Sequence, residues 1–103
     1  MIKNIFKNIP ENLTEELLDV LIKNENIKVE RIISKGHKSP AGFWYDQEQS
    51  ELVLLLKGSA KLRFENELVE LNSGDYINIP AHKKHRVDWT DHGTETIWLA
   101  IYY

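Results

Sequence analysis

The sequence predicts an all-β fold, a barrel or sandwich of short strands, preceded by a single α-helix. Near the N-terminus, apolar residues recur every four positions, which is a helical period. From Ile27 onward, apolar and polar residues mostly alternate with a period of two, in about seven short segments. Turn-forming residues separate these segments at close and regular spacing, which is typical of all-β sandwiches and barrels.

The predicted helix rests on a stripe of leucines. Leu13, Leu17 and Leu21 would lie on one face of a helix. Asn12 and Glu15 have the spacing of a capping box at its N-terminus. We therefore expect a helix that covers one end of the core.

The predicted strands differ in how they are buried. The segment IKVERII alternates and places Ile27, Val29, Arg31 and Ile33 on one face. The segment ELVLLLKG is almost continuously apolar and indicates a strand buried on both faces. The remaining predicted strands are SAKLRF, LVEL, DYINI, HRVDW and ETIWLAIYY.

Length and composition narrow the class of protein. The chain has 103 residues, which predicts one domain over residues 1–103. Its formal net charge is −3 and no basic stripe is visible, so we expect no nucleic-acid partner. It contains no cysteine, which excludes disulfides and thiolate ligands. No signal-peptide pattern and no apolar run of about 18 residues is present, so we expect a cytoplasmic protein with no membrane partner.

Two stretches of the chain carry motif residues at fixed spacing. Glu51 precedes Gly58 by seven residues, and Gly74, Pro80 and His85 lie in the segment GDYINIPAHKKH. The first stretch resembles the second half of the first cupin motif, and the second falls in register with the second cupin motif. The resemblance implies a double-stranded β-helix, or jelly-roll barrel, and a homodimer. It assigns the barrel motifs to residues 35–103 and leaves an N-terminal strand, the helix and the first long strand to residues 1–34.

The resemblance carries over only part of the family's metal site. Its usual ligands are three histidines and one glutamate, and only Glu51 and His85 match. The places of the missing histidine pair are taken by Trp44 and Asp46, or by Tyr45 and Gln47, depending on the spacer before Glu51. His82 stands where the motif usually has glycine.

The chemistry of the residues points to the same region. His85 shares a strand face with Val87 and Trp89, which indicates that it faces inward. Glu51 heads an apolar strand, where a carboxylate needs a metal or another partner, such as an arginine. His82 either converges on this site or is a turn residue. A set of nitrogen and oxygen ligands would suit Fe, Mn, Ni or Zn alike. The candidate metal ligands are His85, Glu51, Asp46 and His82.

A small-molecule pocket is expected beside these residues, with Tyr45, Gln47, Trp44 and Trp89 as its candidate lining. We interpret the chain as a barrel that binds a divalent metal and a small polar molecule. Such a barrel could be a metal-dependent enzyme, in which Tyr45 or His82 moves protons. The alternatives are a non-catalytic binding or sensing module and a structural dimer whose site has decayed. The final strand is apolar on both faces, so it could be buried on both sides, which favours a homodimer.

Overall fold

The segments that alternate in polarity form β-strands in the computed structural model, which describes all of residues 1–103. The eight strands are β1 (Leu17–Lys23), β2 (Lys28–Ser34), β3 (Glu51–Lys57), β4 (Ser59–Phe64), β5 (Leu68–Asn72), β6 (Tyr76–Ile79), β7 (His85–Thr90) and β8 (Thr96–Tyr102). Strands β2 to β8 correspond to the seven segments predicted from the sequence. The all-β prediction is confirmed.

The strands form two antiparallel sheets that pack face to face. The larger has the order β1-β2-β8-β3-β6, and the smaller has the order β5-β4-β7. Strand β8 is the centre of the larger sheet and pairs along its whole length with β2 and almost its whole length with β3. This is the jelly-roll arrangement that the resemblance implies.

The predicted N-terminal helix is wrong, because residues 17–23 form strand β1 instead. The segment satisfies two periods at once: Leu13, Leu17 and Leu21 fit a helix, whereas Leu18, Val20 and Ile22 fit a strand. β1 pairs antiparallel with β2, with a register shift between Val20 and Ile22. The open edge of the sheet offers hydrogen bonds to a β-branched segment, and this tertiary context decides the outcome. The chain contains no helix that is long and apolar enough to cross a membrane.

The core lies between the two sheets. It is built from inward-facing side chains of both, namely Val53, Leu55, Ala60, Leu62, Phe64, Leu71, Ile79 and Trp98. Since successive side chains of a strand point to opposite faces, Glu30 and Ile32 of β2 share this inner side with Glu51 and Val53 of β3. The polar residues among them therefore line the interior of the barrel.

Arg31 fastens the N-terminal segment to the other side of the larger sheet. Its guanidinium group donates hydrogen bonds to the backbone carbonyls of Ile5, Lys7 and Asn8 and to the carboxylate of Asp19. Arg31 is buried, with 7% of its surface exposed. One charged side chain thus holds a segment that has no regular secondary structure.

Gly58 and Gly74 provide a matched test of turn geometry. Both have a positive φ, +92° for Gly58 and +93° for Gly74. A Cβ at Gly58 would lie 2.8 Å from the Cα of Thr96 and 2.9 Å from the carbonyl oxygen of Glu95, whereas a Cβ at Gly74 would meet nothing within 4 Å. The two positions therefore share backbone strain but differ in steric space.

We expect Gly74→Ala to lower the free energy of unfolding by about 1 kcal/mol, the cost of a left-handed non-glycine residue. Gly58→Ala should cost the same plus about 1–3 kcal/mol, because the backbone of β8 must move. Urea denaturation of both variants measures the difference. Equal losses of unfolding free energy in the two variants would show that the close contact with Thr96 is relieved at little cost.

Candidate functional site

A cavity of about 160 Å³ opens between the two sheets. Its walls are mostly apolar, with Ile32, Val53, Leu62 and Val87 among them. Five polar residues face it: Glu16, Glu30, Gln47, Glu51 and His85. Tyr45, Trp98 and Tyr102 add aromatic rings that carry polar atoms. An apolar cavity with a few convergent polar groups is the usual form of a small-molecule site.

The strand register of the larger sheet places the polar residues in neighbouring rows. Tyr102 of β8 lies between Lys28 of β2 and Glu51 of β3. In the next inward-facing row, Ala100 lies between Glu30 and Val53. Glu30 and Glu51 each have 7% of their surface exposed. The sheet thus places the buried carboxylates of Glu30 and Glu51 on the two strands that flank the strand of Tyr102.

The smaller sheet supplies the opposite wall through His85. This residue begins β7, and Tyr45 extends the sheet beside it through two backbone hydrogen bonds. The Tyr45 ring stacks on the imidazole, with ring centroids 5.4 Å apart and planes 25° apart. Phe64 lies on another side of the imidazole, its centroid 6.1 Å away. These contacts fix the orientation of His85.

Hydrogen bonding defines which nitrogen of His85 faces the cavity. Nδ1 lies 2.9 Å from the carbonyl oxygen of Lys83 and must donate to it, because a carbonyl only accepts. Nε2 lies 3.5 Å from Oε1 of Glu51. If the imidazole were neutral, its Nε2 lone pair would face a carboxylate, so a proton on Nε2 is favoured.

The pKa of His85 reflects this competition. Burial is the largest single influence and lowers the pKa, but the interaction with Glu51 and the hydrogen bond to Lys83 together raise it above its ordinary value. Glu51 therefore favours the imidazolium form of His85, with a proton on Nε2. Such a pair can hold a proton at Nε2 and share it with a bound molecule.

Both phenols of the cavity experience the charge of its carboxylates. Burial raises the pKa of Tyr45, and the negative charges of Glu16, Glu51 and Glu30 raise it further. Burial also raises the pKa of Tyr102, together with the charges of Glu51 and Glu30 and a hydrogen bond to Glu30. Both side chains remain protonated hydrogen-bond donors at neutral pH.

Two of the predicted metal ligands, Asp46 and His82, do not line the cavity. His82 Nδ1 lies 2.8 Å from Oδ1 of Asp46, and both side chains are largely exposed. The backbone of His82 has a φ of +64°, the left-handed conformation that glycine adopts most easily. This explains how His82 can stand where the motif usually has glycine. Its imidazole forms a surface pair with Asp46.

The structure also separates the candidate pocket residues. Tyr45 and Gln47 line the cavity, whereas Trp44 does not. Trp89 does not line it either, because the ladder between β4 and β7 shifts register between Lys61 and Leu62. This bulge pairs Trp89 with Lys61, whose ammonium group lies 5.5 Å from the centre of the indole ring. The alternation predicted from His85 therefore fails after Val87.

Sequence reasoning missed three polar residues of the cavity, Glu16, Glu30 and Tyr102. A signal was present for Glu30, because the alternation of the segment IKVERII places it on the same face as Ile32. Tyr102 shares a strand face with Trp98 and Ala100, and that alternation was visible in the sequence. Glu16 had no such signal, because its position depends on β1 being a strand. Its carboxylate accepts a hydrogen bond of 2.8 Å from the Ser34 hydroxyl.

The donor set does not fit the metal that the resemblance implies. His85 and Glu51 converge, but no group of three or more His, Asp or Glu side chains is arranged to hold a metal ion. Asp46 and His82, which would have completed a set of four, are paired with each other. We therefore derive no chemistry through a metal at this site.

The raised pKa of His85 predicts how stability depends on pH. Protonation of His85 stabilises the fold fully below its unfolded pKa of about 6.5, and this contribution is lost as pH rises through the higher folded pKa. The difference in unfolding free energy between the wild type and His85→Gln should therefore shrink between pH 5.5 and 9. Urea denaturation across this range measures it.

The exposed His92 offers a control for this measurement through His92→Gln, which also removes an imidazole. A wild-type advantage over His85→Gln that stayed constant or grew with pH would contradict the imidazolium assignment.

Comparison with known proteins places this geometry in a family. Residues 30–102 match the family described as the cupin domain. No curated protein matches the chain. Among solved structures, a Ralstonia eutropha protein provisionally named as a mannose-6-phosphate isomerase is similar at 40% identity, covering 99% of this chain and 96% of that one, with a TM-score of 0.95.

Two more distant structures share the fold. A cupin superfamily protein from Desulfitobacterium hafniense has 20% identity and a TM-score of 0.76, covering 91% of this chain and 82% of that one. The polyketide cyclase RemF from Streptomyces resistomycificus also has 20% identity, with a TM-score of 0.72, covering 86% of this chain and 65% of that one. Because the family match spans most of the chain and agrees with its two-sheet jelly roll, the chain belongs to the cupin domain family.

Proposed function

We propose that the barrel interior binds a small organic molecule directly, without an intervening metal ion. The observation that carries this proposal is the meeting of His85, Glu51, Tyr45 and Tyr102 at one apolar cavity. Each of these groups can donate or accept a hydrogen bond, and apolar walls exclude competing water. This combination favours binding with a defined orientation.

The same groups could serve catalysis. The His85–Glu51 pair holds a proton at Nε2, and a substrate within hydrogen-bond reach could exchange it. The 40% identical Ralstonia protein, provisionally named as a mannose-6-phosphate isomerase, favours an isomerase as the second candidate function. A phosphorylated sugar fits this cavity poorly, however, because no lysine or arginine lines it. Non-catalytic binding is therefore the leading proposal.

The two candidate functions can be separated by incubating the wild type and His85→Gln with mannose 6-phosphate and following the sugar by NMR. Product that forms with the wild type and not with His85→Gln would favour the isomerase. No turnover by either would favour the binding module.

A Fe, Mn, Ni or Zn site remains the rival to direct binding. Metal content measured by mass spectrometry on untagged protein addresses it, beside His85→Ala and Glu51→Ala. Direct binding predicts less than stoichiometric metal in all three, even after incubation with each ion. Near-stoichiometric metal that is lost in both variants would overturn the metal-free proposal.

Tyr45→Phe tests the binding proposal itself. A fragment screen by ligand-observed NMR would first identify molecules that bind the wild type and that Val87→Phe, which adds volume at the cavity wall, no longer binds. Removing the Tyr45 hydroxyl should then weaken their binding about tenfold, the cost of one hydrogen bond to a buried ligand. The melting temperature should change little, since the ring and its stacking are kept.

Leu68→Phe is the control for Val87→Phe, because Leu68 lies at an exposed position of the same smaller sheet and does not line the cavity. If Tyr45→Phe lowered the melting temperature but left affinity unchanged, Tyr45 would be a packing residue. If no fragment distinguished the wild type from Val87→Phe, the proposed binding site would be wrong.

We further propose that the chain forms a homodimer through the outer face of the larger sheet. One row of this face runs Ile22, Val29, Ile101, Leu52 and Asn78 across all five strands. The adjoining row includes Leu99, Leu54 and Tyr76. Tyr76 is 72% exposed and Ile22 is 58% exposed. The row of Leu99 also contains the ion pair of Asp19 and Arg31, which the N-terminal segment covers. The apolar part of the face, from Ile22 to Tyr76, suits a second copy related by a twofold axis.

Leu54→Lys should therefore convert a dimer of twice 12.1 kDa into a monomer, because it puts charges at the centre of the face. Sedimentation velocity measures the mass. Leu68→Lys, on an exposed position of the smaller sheet, is the control and should remain dimeric. A wild-type chain that sediments as a monomer would contradict the proposal.

A further inference from the structure

The cavity has an excess of negative charge. Three carboxylates face it, from Glu16, Glu30 and Glu51, and its only basic side chain is His85. The charges of all three act on the Tyr45 phenol, which lies across the cavity from the larger sheet. His85 lies beside Glu51, and no lysine or arginine among the lining residues pairs with Glu16 or Glu30.

A cation already occupies the edge of this arrangement. The ammonium group of Lys28 lies 3.8 Å from Oε2 of Glu30 and 4.7 Å from the centre of the Tyr102 ring. Lys28 itself does not line the cavity. The carboxylate of Glu30 and the ring of Tyr102, which lie in adjacent rows, thus attract the same ammonium group by charge and by a cation–π contact.

Trp98 adds a third aromatic side chain to the cavity wall, beside Tyr45 and Tyr102, and 4% of the residue is exposed. Aromatic rings attract cations through their faces, and an indole ring does so most strongly.

The size of the cavity limits the ligand. A cavity of about 150 Å³ accommodates benzene, and this one has about 160 Å³. A six-membered ring with one or two short substituents can enter, with the substituents reaching toward the open side. A hexose phosphate is larger and carries the wrong charge.

We propose that the cavity recognises a small organic cation, one that carries an ammonium group for Glu30 and Glu16. This inference rests on the proposed function, because it names the chemical class of the molecule that the barrel binds. The carboxylates then select against anions, and the aromatic rings of Tyr102 and Tyr45 favour an amine over a neutral alcohol of the same shape.

Matched ligands on one scaffold test the charge preference. Isothermal titration calorimetry would compare trans-4-aminocyclohexanol, trans-1,4-cyclohexanediol and trans-4-hydroxycyclohexanecarboxylate. A second set on a benzene ring would use 4-(aminomethyl)phenol, 4-(hydroxymethyl)phenol and 4-hydroxybenzoate. In at least one set, the amine should bind at least about tenfold more tightly than the alcohol, which is the usual contribution of a charge-assisted hydrogen bond. The carboxylates should not bind.

Glu30→Gln preserves the shape of the side chain and removes its charge. It should reduce the preference for the amine over the alcohol several-fold while leaving the affinity for the alcohol nearly unchanged. Glu70→Gln, on the exposed side of β5, is the matched control and should change neither affinity. If Glu30→Gln fails to fold, Glu16→Gln at the exposed mouth of the cavity provides the same comparison.

The possible results separate this inference from the proposed function. Alcohols or carboxylates that bind as tightly as the amines would overturn the cation preference but leave the small-molecule site intact. So would a fragment screen that yields only neutral or anionic ligands. Fragments that bind equally well to the wild type and Val87→Phe would overturn both.

Discussion

The site depends on the pairing of β8 with its two neighbours in the larger sheet. That ladder sets Tyr102 against Glu51 and places Ala100 between Glu30 and Val53. Because the side-chain period of a strand is two, a slip of β8 by one residue would turn Tyr102, Ala100 and Trp98 to the outside of the sheet. Register in this one strand therefore determines whether the Tyr102 phenol lies between the strands that carry Glu30 and Glu51.

Keeping carboxylates inside a barrel requires specific compensation. Glu51 is compensated by His85, whose tautomer is fixed by the Lys83 carbonyl. Glu30 has Lys28 at 3.8 Å and the Tyr102 phenol, which are weaker partners for a buried charge. The side chains that face the interior therefore neutralise its carboxylates only in part. The apolar side chains around the cavity belong to the core, and their packing offsets the free-energy cost of burying these carboxylates.

Much of the fold could be predicted from the sequence, because the seven strands from β2 onward have clear alternation or continuous apolar runs. The cupin motif singled out Glu51 and His85, and the structure brings these two side chains together. The errors arose where local pattern was ambiguous or interrupted. Residues 17–23 satisfy both helical and strand periods, and only the open edge beside β2 decides between them. The position of Trp89 depends on a bulge, which no count of alternating residues reveals.

Arg31 gives the N-terminal segment an unusual dependence on one side chain. The guanidinium group reaches carbonyls 23 to 26 residues earlier in the chain, and no regular ladder secures them. Arg31 is also bonded to Asp19 of β1, so the segment depends on the β1–β2 hairpin for its docking. Its amides should then exchange with solvent as one cooperative unit, at a lower free energy than the sheet beneath. The N-terminal segment is thus held on the outer side of the larger sheet less firmly than the strands are held to one another.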